Sequence, residues 1–209
     1  DAVGKSLQRT GRQMTTRLTL PILGAATAAG TLSTQFETSL SRIEGLVGVA
    51  GDQVDQWGRD IIAMAPELGR APRELADGLF FVTSAGFRGA EAMDVLEQSA
   101  KAAAAGLGET RIIADAVTSA VNAYGAENLS AAQATDTLIA AVREGKLEAE
   151  SLAPVLGNLL PTASAMGISF EQVAGLMAVF SRTGADAASS ATTLQRLMLT
   201  LQKNTGPAV

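Results

Sequence analysis

Gly4-Lys5-Ser6 is the tripeptide of this chain whose residue types suggest phosphate chemistry, because a phosphate-binding loop ends this way. In such a loop the backbone amides cradle phosphate, the lysine reaches the outer phosphates and the hydroxyl holds a magnesium ion. Here the upstream glycine would lie before residue 1, no strand pattern precedes the tripeptide, and polar residues follow it. The match therefore carries no function. Gly106-Leu107-Gly108-Glu109-Thr110 is also glycine-rich, but it lacks a lysine and a strand-to-helix setting. A helix end followed at once by a helix start explains it better.

The carboxylates do not converge. Glu148 and Glu150 are two apart, which points them to nearly opposite sides of a helix. Asp52 and Asp55 fall in a helix first turn, where acids complement the dipole. Glu91, Asp94 and Glu97 share one helical face, the pattern of a solvated stripe. None has a base, a nucleophile or a metal ligand beside it. Histidine and cysteine are both absent, which removes the commonest general base, the usual metal ligand, the thiolate nucleophile and any disulfide. We assign no catalytic, cofactor-binding or metal-ligating residue, and read the chain as something other than an enzyme.

The elements around these residues are announced by punctuation. Helical segments stop at Gly86, Gly125, Gly167 and Gly184, and each glycine is followed by a small or apolar residue and a fresh helix start. Glycine takes the left-handed conformation that ends a helix at no steric cost. Ser130 with Gln133, and Ser169 with Gln172, have the capping-box spacing that satisfies free amides at a helix start. Predicted helices run from about Thr34 to Leu46, from Asp52 as cap to a stop before Pro66, and from Pro72 onward. Further segments follow at about 89–105, 109–124, 130–144, 148–166, 169–183 and 185–203. The second helix carries Val54, Trp57, Ile61, Ile62 and Met64 as its apolar set, and segment 169–183 carries Phe170, Val173, Leu176, Met177 and Phe180. Pro154 and Pro161 predict a kink or break in 148–166. No stretch alternates with period two, so no sheet is predicted.

The fold class is thus all-α, an array or bundle of about eight short-to-medium helices separated by glycines. Only eight aromatic side chains are present (one Trp, one Tyr and six Phe), so small residues must carry the packing and bring helices close together. Because the chain opens at Asp1, it is read as a piece of something longer.

Two regions are distinguished, a basic then apolar N-terminal segment (1–50) and an alanine-rich helical core module (51–209). Asp1 is the one acid before Glu37, against Lys5, Arg9, Arg12 and Arg17. The remainder holds 20 of the 21 acids and 12 of the 16 bases, a net charge of −8. Such an acidic part is a poor nucleic-acid binder, since affinity for phosphate comes from clustered Lys and Arg. Residues 3–17 read as a polar helix. The run from Leu18 to Leu32, containing Leu20, Pro21, Ile22 and Leu23, is uncharged and mostly apolar. It imitates a secretory signal, but Pro21 and Gly24 interrupt it. It also falls short of the ~20 residues that cross a bilayer. We read it as an alanine-rich packing segment, with an interfacial or membrane-active role as the alternative.

The order and spacing of these features resemble the core region of tape measure proteins from long-tailed phages. The likeness is carried by Gly4 to Leu7, Gly11 and the Leu18–Gly24 run with its Leu-Pro, then by Phe36-Glu37 with Ile43 and Val47. It continues through Ala85-Gly86-Phe87 with Glu91-Ala92, Ala102–Gly106, Leu152–Val155, Pro161–Ala163, Gly167–Gln172, and Gly184 with Ala188 and Leu194–Leu201. The resemblance implies a structural protein of the virion, threaded through the tail tube, that helps set tail length and leaves ahead of DNA during genome ejection. It implies several copies, commonly a homotrimer, that meet tail tube and tail tip proteins and tail assembly chaperones, with the host membrane a further partner during ejection. From the residues themselves we expect no cofactor and no sequence-specific nucleic-acid partner. A membrane-active pore-forming or toxin-like protein is the alternative reading.

Overall fold

The computed structural model describes residues 34–205. The polar segment 3–17, the Gly4-Lys5-Ser6 tripeptide and the run holding Leu18, Leu20, Pro21, Ile22, Leu23 and Leu32 lie outside them. Nine helices and no strand occur among the described residues. Helix α1 spans 34–47, its last turn widening into a π-helix at Ile43–Val47 before Gly48 closes it at φ 72°. There follow α2 (Gly51–Leu68), α3 (Pro72–Ser84), α4 (Gly89–Ala104), α5 (Thr110–Tyr124), α6 (Ala131–Glu144), α7 (Ala149–Ala165), α8 (Phe170–Arg182) and α9 (Ala187–Thr205).

The chain weaves between two layers. The odd helices form one row, in which α1 packs on α3, α3 on α5, α5 on α7 and α7 on α9, while the even helices α2, α4, α6 and α8 form the other. Each successive pair therefore adds one helix to each layer, as in quasi-one-dimensional stacked-helix proteins. The deepest part of the seam is written in alanine. Ala92, Ala100 and Ala103 of α4 and Ala114 and Ala120 of α5 are wholly inaccessible, and α5 packs more extensively on α7 than any other pair. At Gly78 a methyl group would stand 3.1 Å from Leu96 of α4 and from Thr110 of α5, so three helices meet there closely enough that a side chain would press on both neighbours. Trp57, Ile61, Leu79, Leu96, Leu156 and Phe170 supply the larger buried surfaces.

Four features of the sequence reading need correction, and prolines account for two of them. Helix α2 does not stop before Pro66 but continues to Leu68, and of the kink or break expected in 148–166 the break does not occur, since α7 is one helix through Pro154 and Pro161. A proline removes the bond to the carbonyl four residues earlier. Here those carbonyls belong to Ile62, Glu150 and Gly157, and these residues and the prolines themselves are all exposed. Water can take the place of the missing amide there. Nor does Asp52 cap α2. The N-cap is Ala50, which places Asp52 inside the first turn. Finally, the apolar sets are wider than the faces they bury, since Ile62 is 56% exposed and Leu176 40%.

Candidate functional site

Several helix junctions are closed by local chemistry. Gly86, Gly125, Gly167 and Gly184 all stand at helix ends with positive φ, at 104°, 84°, 71° and 95°. Ser130 and Ser169 form complete capping boxes, each hydroxyl accepting the amide of the glutamine three residues on. Asp186 does the same for α9, its carboxylate accepting the Ser189 amide at 2.7 Å. That bond is the main reason its carboxyl is held below the usual aspartate range.

Between junctions, side chains tie one helix to the next. The Glu74 carboxylate of α3 accepts the Thr110 hydroxyl at 2.7 Å and stands 3.3 Å from Arg70, so α5 begins against an acid supplied by another helix. Thr110 itself is fully buried. Asn122 of α5 donates to the carbonyl of Ala85 at 3.0 Å, just past α3. Tyr124, at the last turn of α5, donates its hydroxyl to the Ile168 carbonyl between α7 and α8 at 2.8 Å. Burial, reinforced by the Glu171 charge, pushes this phenol up to about 12. Ser181 of α8 accepts the Lys146 amide at 2.9 Å, fixing the turn between α6 and α7 to the next helix of the even row.

Each of these contacts holds a side chain or a backbone group of one helix against another element. Among the described residues, no three Asp or Glu side chains come together as a metal site. Glu97 pairs with Lys101 at 2.7 Å on the surface of α4, and that hydrogen bond raises the lysine. Asp115 is raised by burial, against the lowering charge of Arg111. The acids of the Glu91-Asp94-Glu97 stripe thus remain separate, pairing instead with neighbours such as Lys101 and Gln98.

What the linear sequence does not disclose is the company kept by its arginines. Arg42 of α1, Arg73 of α3 and Arg111 of α5 line a single cleft with Asp77. No local motif marks them, because only the stacking of odd helices brings them together.

A second surface is apolar. Leu197, Leu199 and Leu201 of α9 and Leu176 and Val179 of α8 are between 40% and 56% exposed at the last helix pair of the array. No helix among the described residues is long and apolar enough to cross a membrane.

Residues 51–209 match the family model described as phage-related minor tail protein. The chain is 26% identical over 203 residues to a protein of Pneumococcus phage Dp-1 named as a tape measure protein, an alignment covering 97% of this chain and 18% of that protein. It is 24% identical over 150 residues to a probable tape measure protein of Clostridium phage phiCD119, covering 70% of this chain and 16% of that one. The chain therefore spans less than a fifth of either relative's length. No solved structure matches it.

Proposed function

The chain belongs to the phage-related minor tail protein family, and from that membership we propose that it is a segment of a tape measure protein, acting in tail assembly and in setting tail length. The observation that carries this reading is the extent of the match to the Dp-1 protein. It runs through 97% of the chain, so it takes in nearly every glycine-marked junction rather than one shared motif. On this reading the protein is made in the host cytoplasm and ends in the virion, in the tail lumen or at the tail tip. Its partners are further copies of itself, as a trimer, together with tail tube and tail tip proteins and assembly chaperones. It departs through the tail during genome ejection.

The stacked helices support a division of labour within such a protein. Laid out as one helix, the 172 described residues between 34 and 205 would extend about 260 Å at ~1.5 Å per residue. Folded as here, five helices of one row stand side by side at about 8–10 Å spacing. A folded array of this kind suits an assembly or docking module near one end of the ruler, with the length-setting rods elsewhere. Leu18, Leu20, Pro21, Ile22, Leu23 and Leu32 would form a packing segment in the particle that meets lipid after release. The membrane-active alternative draws on that run alone.

The test is peptide mass spectrometry of purified particles from the phage or prophage that encodes the chain, combined with in-frame deletion of residues 51–205. Peptides in the tail fraction and loss of normal tails on deletion are expected. Absence from particles, or normal tails without the segment, would overturn the assignment. Placing Asp at Leu20 and Leu23 separates the two roles of the N-terminal run. Normal tails with failed DNA delivery point to lipid, and failed assembly points to packing.

A further inference from the structure

Three adjoining clefts run along the odd-helix layer. The first, of about 400 Å³, lies among α1, α3 and α5 and contains Arg42, Arg73, Arg111 and Asp77. The second shares Arg73, Asp77 and Arg111 with it. The third shares Phe81 and Arg111 and reaches Asp115 of α5 and Glu150 of α7. The shared residues set the three clefts side by side as a groove across four stacked helices.

Charge is unevenly distributed along it. At the α1 end, three guanidinium groups face a single carboxylate. Asp77 accepts the Ser39 hydroxyl at 2.7 Å, and lies 3.7 Å from Arg73 and 4.0 Å from Arg42. Arg111 pairs at 3.1 Å with Glu109 only two residues away, both side chains being about half exposed or more. Exposed pairs of this kind are weak in water, so a better-placed acid can replace them. Two of the arginines are also braced by rings, Arg42 at 4.3 Å from Phe80 and Arg111 at 5.8 Å from Phe81. Arg73 is braced by Gln35, to which it donates at 2.9 Å. A guanidinium laid over an aromatic face keeps its N–H edge open to an acceptor in its plane.

We propose that this end of the groove seats a carboxylate-bearing extended segment of a partner protein, with one or two Asp or Glu side chains received by Arg42, Arg73 and Arg111. Arginine forks match carboxylates with two parallel hydrogen bonds, and stacked-helix surfaces take extended ligands. A nucleic-acid strand fits less well. Every nucleotide of it carries a charged phosphate, and a strand following the groove would meet Glu74 and Glu109 in the second cleft and Asp115 and Glu150 in the third. The chain's own first residues do not complement the site either, since before Glu37 they offer Lys5, Arg9, Arg12 and Arg17 and the single acid Asp1. The groove also sets polarity: the partner is acidic where it crosses α1 to α3, and uncharged or basic where it nears Asp115 and Glu150. The inference holds whether or not the chain is a tape measure segment.

Fluorescence anisotropy of the full chain with a labelled oligoglutamate peptide tests it, with oligolysine and oligothymidylate as comparators. Saturable binding of oligoglutamate is expected, weakened at least roughly tenfold by the Arg42→Gln, Arg73→Gln double change and left intact by Arg196→Gln on α9. If the double variant loses helical signal, Arg111→Gln alone is read in the same titration. No saturable oligoglutamate binding, equal or tighter binding of oligothymidylate, or binding indifferent to these arginines would each overturn the proposal. So would a change confined to oligomeric state on sedimentation, which would make the groove a contact between copies.

Discussion

Replacing Gly145 by alanine should destabilise the protein although the backbone there is ordinary. Gly145 sits at φ −99° and ψ −177°, an extended conformation open to any residue. On conformational grounds alone, alanine would restrict the unfolded chain and stabilise by ~0.4–1 kcal/mol. The obstacle is space. An added methyl would stand 2.8 Å from the Ser181 hydroxyl and 3.0 Å from Cα of Ala178, both on α8, and 2.8 Å from the Ala141 carbonyl. Ser181 cannot retreat freely, because it donates to the Ala178 carbonyl at 2.7 Å and accepts the Lys146 amide at 2.9 Å. Overpacking of this kind costs about 1–3 kcal/mol, and loosening one of the two hydrogen bonds adds roughly 0.5–1.5 kcal/mol. The net is a loss of about 0.5–4 kcal/mol. At about 2–4 °C per kcal/mol for a chain this long, thermal unfolding followed by circular dichroism should show a clear fall in Tm. Gly175 provides the control. It lies inside α8 with nothing within 4 Å of the position a methyl would take, so Gly175→Ala should raise stability by ~0.5–1 kcal/mol. If both substitutions raise Tm, the α6–α7 turn does not rest on α8 and the packing described for it is wrong.

Two further outcomes follow from the contacts between helices. The phenol of Tyr124 is pushed up to about 12, from about 10 in an unfolded chain. Its contribution to stability is therefore complete below about pH 10 and lost as pH rises toward 12. As it is the one tyrosine present, tyrosinate absorbance reads it directly, and a midpoint near 10 in the folded protein would contradict the buried bond to Ile168. Glu74→Ala strips the acceptor from the buried Thr110 hydroxyl and should cost about 1–3 kcal/mol in denaturant unfolding, whereas Glu74→Gln, which keeps an acceptor oxygen, should cost less; equal losses would deny Glu74 its role at the start of α5.

The sequence announces the helix boundaries because their causes are local. A positive-φ glycine and a Ser-x-x-Gln box act within one turn, and Gly86, Gly125, Gly167 and Gly184, with Ser130 and Ser169, stand where those rules put helix ends and starts. Pro66, Pro154 and Pro161 mislead because the cost of a proline depends on the side of the helix it occupies, and that is decided by packing. All three face solvent. Ile62 and Leu176 mislead for a related reason, since an apolar stripe does not reveal how wide a face its neighbours will cover. The weave between layers, the clip from Tyr124 to Ile168 and the arginine groove were not legible at all. Each joins residues from helices far apart in the chain, and nothing in local spacing specifies the pairing. Arginines 42, 73 and 111 look like three ordinary solvated charges until α1, α3 and α5 are laid side by side.

On the function proposed above, this segment works as a stack of folded helix pairs within a tail protein. The most direct measurement is tail length by electron microscopy after in-frame duplication of residues 130–168, which hold α6, α7 and the capped turns that begin and follow them. Stacking predicts that the added pair contributes one helix to each layer and advances the array by a single interaxial spacing, about 8–10 Å. Tails longer by about 60 Å, the full ~1.5 Å for every added residue, would mean that the segment is drawn out as a rod in the particle, and would contradict the account.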